Sequence, residues 1–110
     1  MAQNINNIFE NLPDSNKEVF EILLQNKKLK LERIISRGQA TPEGQWYNQD
    51  KDEWIILLSG SAKLLFEGSE EIIELKPGDY LNIPAHKKHR VEWTAQDTET
   101  VWIALHYSNI

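Results

Sequence analysis

Pro77-Gly78-Asp79-Tyr80-Leu81-Asn82-Ile83-Pro84-Ala85-His86-Lys87-Lys88-His89-Arg90-Val91-Glu92-Trp93 is the stretch that decides the fold. Pro77-Gly78-Asp79 is turn chemistry: proline presets φ, glycine tolerates the left-handed region, and aspartate bonds nearby backbone. A short β-rich run, 80–83, follows and stops at Pro84-Ala85, where the chain loses a ladder donor. A β-rich run then resumes over 88–94. Turn, short strand, turn, strand is the punctuation of an all-β domain.

The same punctuation extends outward in both directions. β-rich runs at 29–36, 53–58, 61–67, 71–75 and 100–107 are separated by Gly38 to Gly44, Ser59-Gly60, Gly68-Ser69 and Ala95 to Thr98. The spacing predicts a sandwich or barrel. Run 53–58 reads Glu-Trp-Ile-Ile-Leu-Leu, so both of its faces are apolar and both need cover. Run 100–107 behaves alike, with Val101, Ile103 and Leu105 opposed to Trp102 and Ala104. Upstream of residue 29 the period changes. Ser15 and Glu18 have capping-box spacing, and Val19, Phe20, Leu23 and Leu24 recur at helical intervals. These predict one helix ending near residue 26, after a lead-in in which Ile8, Phe9 and Leu12 are available to pack. One domain is expected, with residues 1–28 forming lead-in and helix and 29–110 the barrel. The helix covers part of the outer face; a second protomer is the expected cover for the rest, making a homodimer.

Composition narrows the function classes. The chain has 110 residues, a net charge of -5 and no cysteine. An acidic chain whose lysines and arginines form only short, interrupted groups is not expected to bind nucleic acid. The lack of cysteine points to a reducing cytoplasm and removes thiol nucleophiles and thiolate metal sites. The polar, Asn-rich N-terminus is not a signal peptide, and no apolar run reaches membrane-spanning length, so no membrane partner is expected.

Three polar features stand out in this apolar framework. Glu53 opens run 53–58, His86 and His89 sit in the quoted stretch, and His106 lies in the last run. Carboxylate and imidazole suit oxygen- and nitrogen-preferring divalent metals. At this point the sequence resembles the cupin superfamily. Gly78, Pro84, His86 (at a glycine position) and His89 stand in register with the second cupin motif. Gly44, Glu53 and Gly60 match the first motif's glycine, glutamate and closing glycine. The likeness covers roughly residues 33–107. Glu32-Arg33-Ile34, Arg37-Gly38, Trp46-Tyr47-x-Gln49, Asp52-Glu53-Trp54 and Pro84-Ala85-His86-x-x-His89-Arg90-Val91 are similar to small single-domain bacterial cupins without an assigned activity.

The resemblance implies a double-stranded β-helix, or jelly-roll barrel. It also implies ligand places for Glu53 and His89 around one divalent ion (Fe, Mn, Ni or Zn). The two histidines of the first motif are missing. Tyr47 and Gln49, or Trp46 and Asn48, occupy their positions, so Gln49 is the candidate third ligand and His106 a fourth if it faces inward. A pocket formed by Tyr47, Gln49, Glu53, His89, Trp93 and His106 is expected. If His89 faces inward, strict alternation turns Val91 and Trp93 inward with it. The expected function is binding of a small molecule, with or without metal. The alternative is a metal-dependent dioxygenase, isomerase or decarboxylase of a small organic acid, and metal-free acid/base catalysis by His89 with Glu53 is a third reading.

Overall fold

The computed structural model describes residues 4–108. Eight strands form: β1 (Val19–Gln25), β2 (Leu29–Ser36), β3 (Asp52–Ser59), β4 (Ala62–Phe66), β5 (Ile73–Leu75), β6 (Tyr80–Ile83), β7 (His89–Thr94) and β8 (Thr100–Tyr107). They build two antiparallel sheets, one of five strands in the order β1-β2-β8-β3-β6 and one of three in the order β5-β4-β7. No described residue is helical, so no described helix is long and apolar enough to cross a membrane.

Directly opposed residues of an antiparallel pair share a face, so the register states which side chains meet. Glu32, Ile34, Glu53, Ile55, Leu57, Trp102, Ala104 and His106 lie on the inner face of the larger sheet. Ala62, Leu64, His89 and Val91 face them from the smaller one. The buried core is Ile55, Leu57, Ala62, Leu64, Leu75, Ile83, Trp102 and Ala104. It closes one end of the space between the sheets, and polar side chains line the other.

The expected helix over residues 15–26 is absent; β1 takes its place. Ser15 accepts a hydrogen bond from the Lys17 N–H in a local turn, and the Glu18 carboxylate accepts one from the Ser36 hydroxyl at 2.6 Å, so neither caps a helix. Val19, Phe20 and Ile22 are β-branched or aromatic and suit a strand at least as well as a helix. A helix of about twelve residues is marginal alone. Pairing with β2, together with the Arg33–Glu21 ion pair at 2.6 Å, selects the strand.

The outer face is covered by other means. Residues 4–18 run across it, and buried Arg33 pins them: its guanidinium donates to the carbonyls of Ile8, Glu10 and Asn11. Arg37 donates to the Pro13 carbonyl in the same way. Ile35 and Val101 are fully buried on this side.

Candidate functional site

A cavity of about 850 Å³ opens between the sheets. Ile34, Ile55, Leu64, Ile83, Val91 and Trp102 make its apolar wall. The remaining wall is polar, and four strands supply its central groups. Glu53 stands at the start of β3, opposite His106 of β8 on one side and Ile83 of β6 on the other. His106 pairs with Lys30 of β2, which brings Glu32, two residues along, within reach. His89 approaches from the smaller sheet.

The four groups form a chain. His89 Nε2 lies 3.4 Å from Glu53 Oε1. His106 Nε2 lies 3.7 Å from Glu53 Oε2 and 3.0 Å from Glu32 Oε1. Both glutamates are buried. Buried charges persist only when paired and hydrogen-bonded, and here each carboxylate faces an imidazole. Gln49 adds an amide N–H to Glu53 Oε1 at 3.4 Å.

His89 Nδ1 donates to the Lys87 carbonyl at 2.9 Å, which fixes where its first proton sits. Nε2 is then either a bare lone pair pointing at a carboxylate or an N–H donating to it. Burial of the ring pulls its pKa down, but the hydrogen bond and charge of Glu53 and the Lys87 carbonyl outweigh this, so the pKa stands above 6.5. The Glu53 carboxylate thus favours the charged form of the His89 imidazole. The Tyr47 phenol is pushed above 10, first by burial and then by the charges of Glu18 and Glu53, so it remains a donor.

The loop before β3 forms the rim. Tyr47 and His89 exchange backbone hydrogen bonds at 2.7 and 3.1 Å, and their rings stack with centroids 5.6 Å apart. The His86 N–H donates to the Gln49 carbonyl at 2.8 Å, and its ring reaches Asn48 Oδ1 at 3.3 Å. His86 occupies the left-handed region at φ 65°, which explains why glycine stands at this place in the family motif.

Tyr47, Gln49, Glu53, His89 and His106 thus reach one cavity. Trp93 does not. Between Lys63 and Leu64 the β4–β7 register shifts, so Lys63 faces Trp93 while Leu64 faces Val91, leaving Glu92 without a partner. This β-bulge turns Trp93 to the outside, where Lys63 Nζ lies 5.2 Å from its ring centre. Glu32 was not singled out as a site residue in the sequence. Its signal was a carboxylate in the middle of an otherwise buried strand.

Gln49, Glu53 and His89, the set expected for a metal, come together around the Glu53 carboxylate, each 3.4 Å from its Oε1. Gln49 turns an N–H, not a lone pair, to Glu53. The two imidazoles approach different oxygens of Glu53. Among the described residues, no three His, Asp or Glu side chains are grouped to hold an ion.

Comparison with known proteins adds to this geometry. A model described as "Cupin domain" matches residues 34–106. A Ralstonia eutropha JMP134 structure, provisionally called a mannose-6-phosphate isomerase, is 45% identical. The match covers 96% of this chain and 99% of that one, with a TM-score of 0.91. A cupin superfamily protein from Desulfitobacterium hafniense DCB-2 is 19% identical over 89% of this chain and 84% of its own, with a TM-score of 0.73. A Streptococcus pyogenes protein of unknown function is 14% identical over 100% of this chain and 91% of its own, with a TM-score of 0.77. The last two likenesses speak to the fold alone. Among curated proteins, nothing matches.

Proposed function

This chain belongs to the cupin family, and from that premise we propose that it binds a small, neutral, hydroxyl-bearing organic molecule in the barrel without a metal ion. One observation carries the reading: two buried carboxylates, Glu32 and Glu53, face the same cavity and are met by imidazole and amide groups. Hydroxyls donate well to such carboxylates and accept from His89 and His106 when these are protonated. A ligand carboxylate placed there meets like charge. The apolar wall receives the ligand's carbon skeleton.

The test is thermal shift followed by calorimetry against neutral polyols and sugars, organic acids and amines. A neutral hydroxyl-bearing compound is expected to raise the Tm. Ligand at one hundred times its Kd adds about 2.7 kcal/mol. Glu53→Gln is expected to weaken binding at least tenfold. Stabilisation by organic acids alone, or by nothing in the panel, overturns the reading. So does a purified protein that carries near-stoichiometric transition metal and loses binding on chelation.

A second reading is metal-free isomerisation of a sugar or sugar phosphate, with His89 and Glu53 moving a proton on the substrate. The 45% likeness to the Ralstonia eutropha protein favours it, and so does the approach of His89 Nε2 to Glu53 Oε1 at 3.4 Å inside the cavity. Solvent deuterium incorporated into mannose 6-phosphate by wild type, and lost in Glu53→Gln, supports it; no incorporation after prolonged incubation rules it out.

A further inference from the structure

We propose that Glu18 and the Tyr47 phenol form a second hydroxyl-binding position in the barrel, so that the cavity selects a polyol or sugar held at two places over a compound with one polar end. This rests on the reading of the cavity as a hydroxyl-binding site and adds where the far end of the ligand goes. Glu18 stands just before β1, beside the larger sheet. The β1–β2 register, with Val19 opposite Ile35, carries on to set Glu18 beside Ser36. Trp102 Nε1 donates to Ser36 Oγ at 3.2 Å, and Ser36 in turn donates to Glu18 Oε2 at 2.6 Å. Ser36 and Trp102 are buried. This chain of bonds fixes the carboxylate against the cavity wall and occupies one of its oxygens. Among the described residues, no group donates to the other, Oε1.

Tyr47 arrives from the other side. It pairs with His89 at the border of the smaller sheet, so its ring shares the inner face and stacks on that imidazole. The Thr41 hydroxyl, which accepts from the Val91 N–H at 2.9 Å, is placed to donate to the phenol oxygen. The phenol's own proton is then left to donate into the cavity. Burial first, and then the Glu18 charge, keeps that proton in place. The pair is one acceptor and one donor, and a hydroxyl satisfies both at once. An ammonium has donors only and leaves the phenol unmet; a carboxylate meets Glu18 as a like charge. Phe20 lies on the same face as Glu18, 51% exposed, and offers its ring to the C–H side of the ligand. Glu32 and Ser36, which anchor the two positions, are four residues apart on β2, or about 13 Å along the strand. A two-carbon diol does not bridge that gap, whereas a hexitol or hexose, met by side chains reaching in from both ends, does.

The test titrates wild type, Glu18→Gln, Tyr47→Phe and Glu53→Gln with mannitol, mannose and ethane-1,2-diol, binding being read by ligand-observed NMR. Glu53→Gln is expected to weaken all three. Glu18→Gln is expected to weaken mannitol or mannose about tenfold, the loss of a hydrogen bond to a charged group, and Tyr47→Phe about threefold or more. Neither is expected to change the affinity for ethane-1,2-diol, which stays at Glu53. A merely structural role for Glu18 or Tyr47 would instead weaken the short and long compounds alike, and that result overturns the proposal. So does a loss below about threefold for the long compounds in both variants while Glu53→Gln still weakens them, which leaves the hydroxyl-binding reading standing. A wild type that binds none of the three overturns that reading and the second position with it. If Glu18→Gln fails to fold, Tyr47→Phe, which keeps its ring on His89, decides alone.

Discussion

Gly60 is the residue with least freedom to change. It has φ 85°, and an added Cβ meets the Thr100 backbone Cα at 2.6 Å, an atom that cannot swing aside. Left-handed backbone costs an alanine about 1–2 kcal/mol, and overpacking adds roughly 1–3. Gly60→Ala is expected to lower stability by about 2–4 kcal/mol, read as a fall of ~10–20 °C in Tm. His86 has the converse problem. Its left-handed conformation is strained, and glycine relieves about as much as it loses in entropy. His86→Gly is expected to leave stability within ~1 kcal/mol by urea denaturation, so any loss of ligand affinity belongs to the imidazole. His89 sets a pH dependence. Its folded pKa is raised, so its stabilisation is fully present below the unfolded value of about 6.5 and is lost as pH rises through the higher folded value. Tm measured across about pH 6–9 is expected to fall faster in wild type than in Glu53→Gln; parallel curves contradict the assignment.

At the scale of elements, Arg33 is the joint between the N-terminal segment and the larger sheet. Arg33→Ala leaves Glu21 without its cation and three carbonyls without a donor. A loss of about 3–5 kcal/mol is expected, together with rapid proteolysis within residues 4–18. Uncut segments in the variant would show that other contacts hold them. These elements also show where sequence reading works. Runs 29–36, 80–83 and 100–107 coincide with β2, β6 and β8, because Gly, Pro and Asp mark their ends locally. β1 was misread because its apolar doublets, Val19-Phe20 and Leu23-Leu24, fit a helical period. Its β2 partner lies beyond a turn that the pattern does not reveal. Trp93 was misplaced because alternation assumes an unbroken ladder, and nothing in His-Arg-Val-Glu-Trp announces the bulge at Glu92. Glu53 and His89 were legible from motif spacing. Glu32 and the inward direction of His106 needed the β2–β8 register.

For the whole molecule, one cavity is walled by both sheets and by the loop before β3, so a ligand bound there is expected to raise the Tm of the fold as a unit; a ligand that binds without any rise would contradict this. The backbone bridge between Tyr47 and His89 has a mechanical consequence. The rim of the barrel and the His89 imidazole are tied by the same two hydrogen bonds, so a guest that wedges the doorway apart also drags the imidazole from Glu53. Bulky molecules would then be refused twice, once by fit and again by spoiling the grip that awaits them inside.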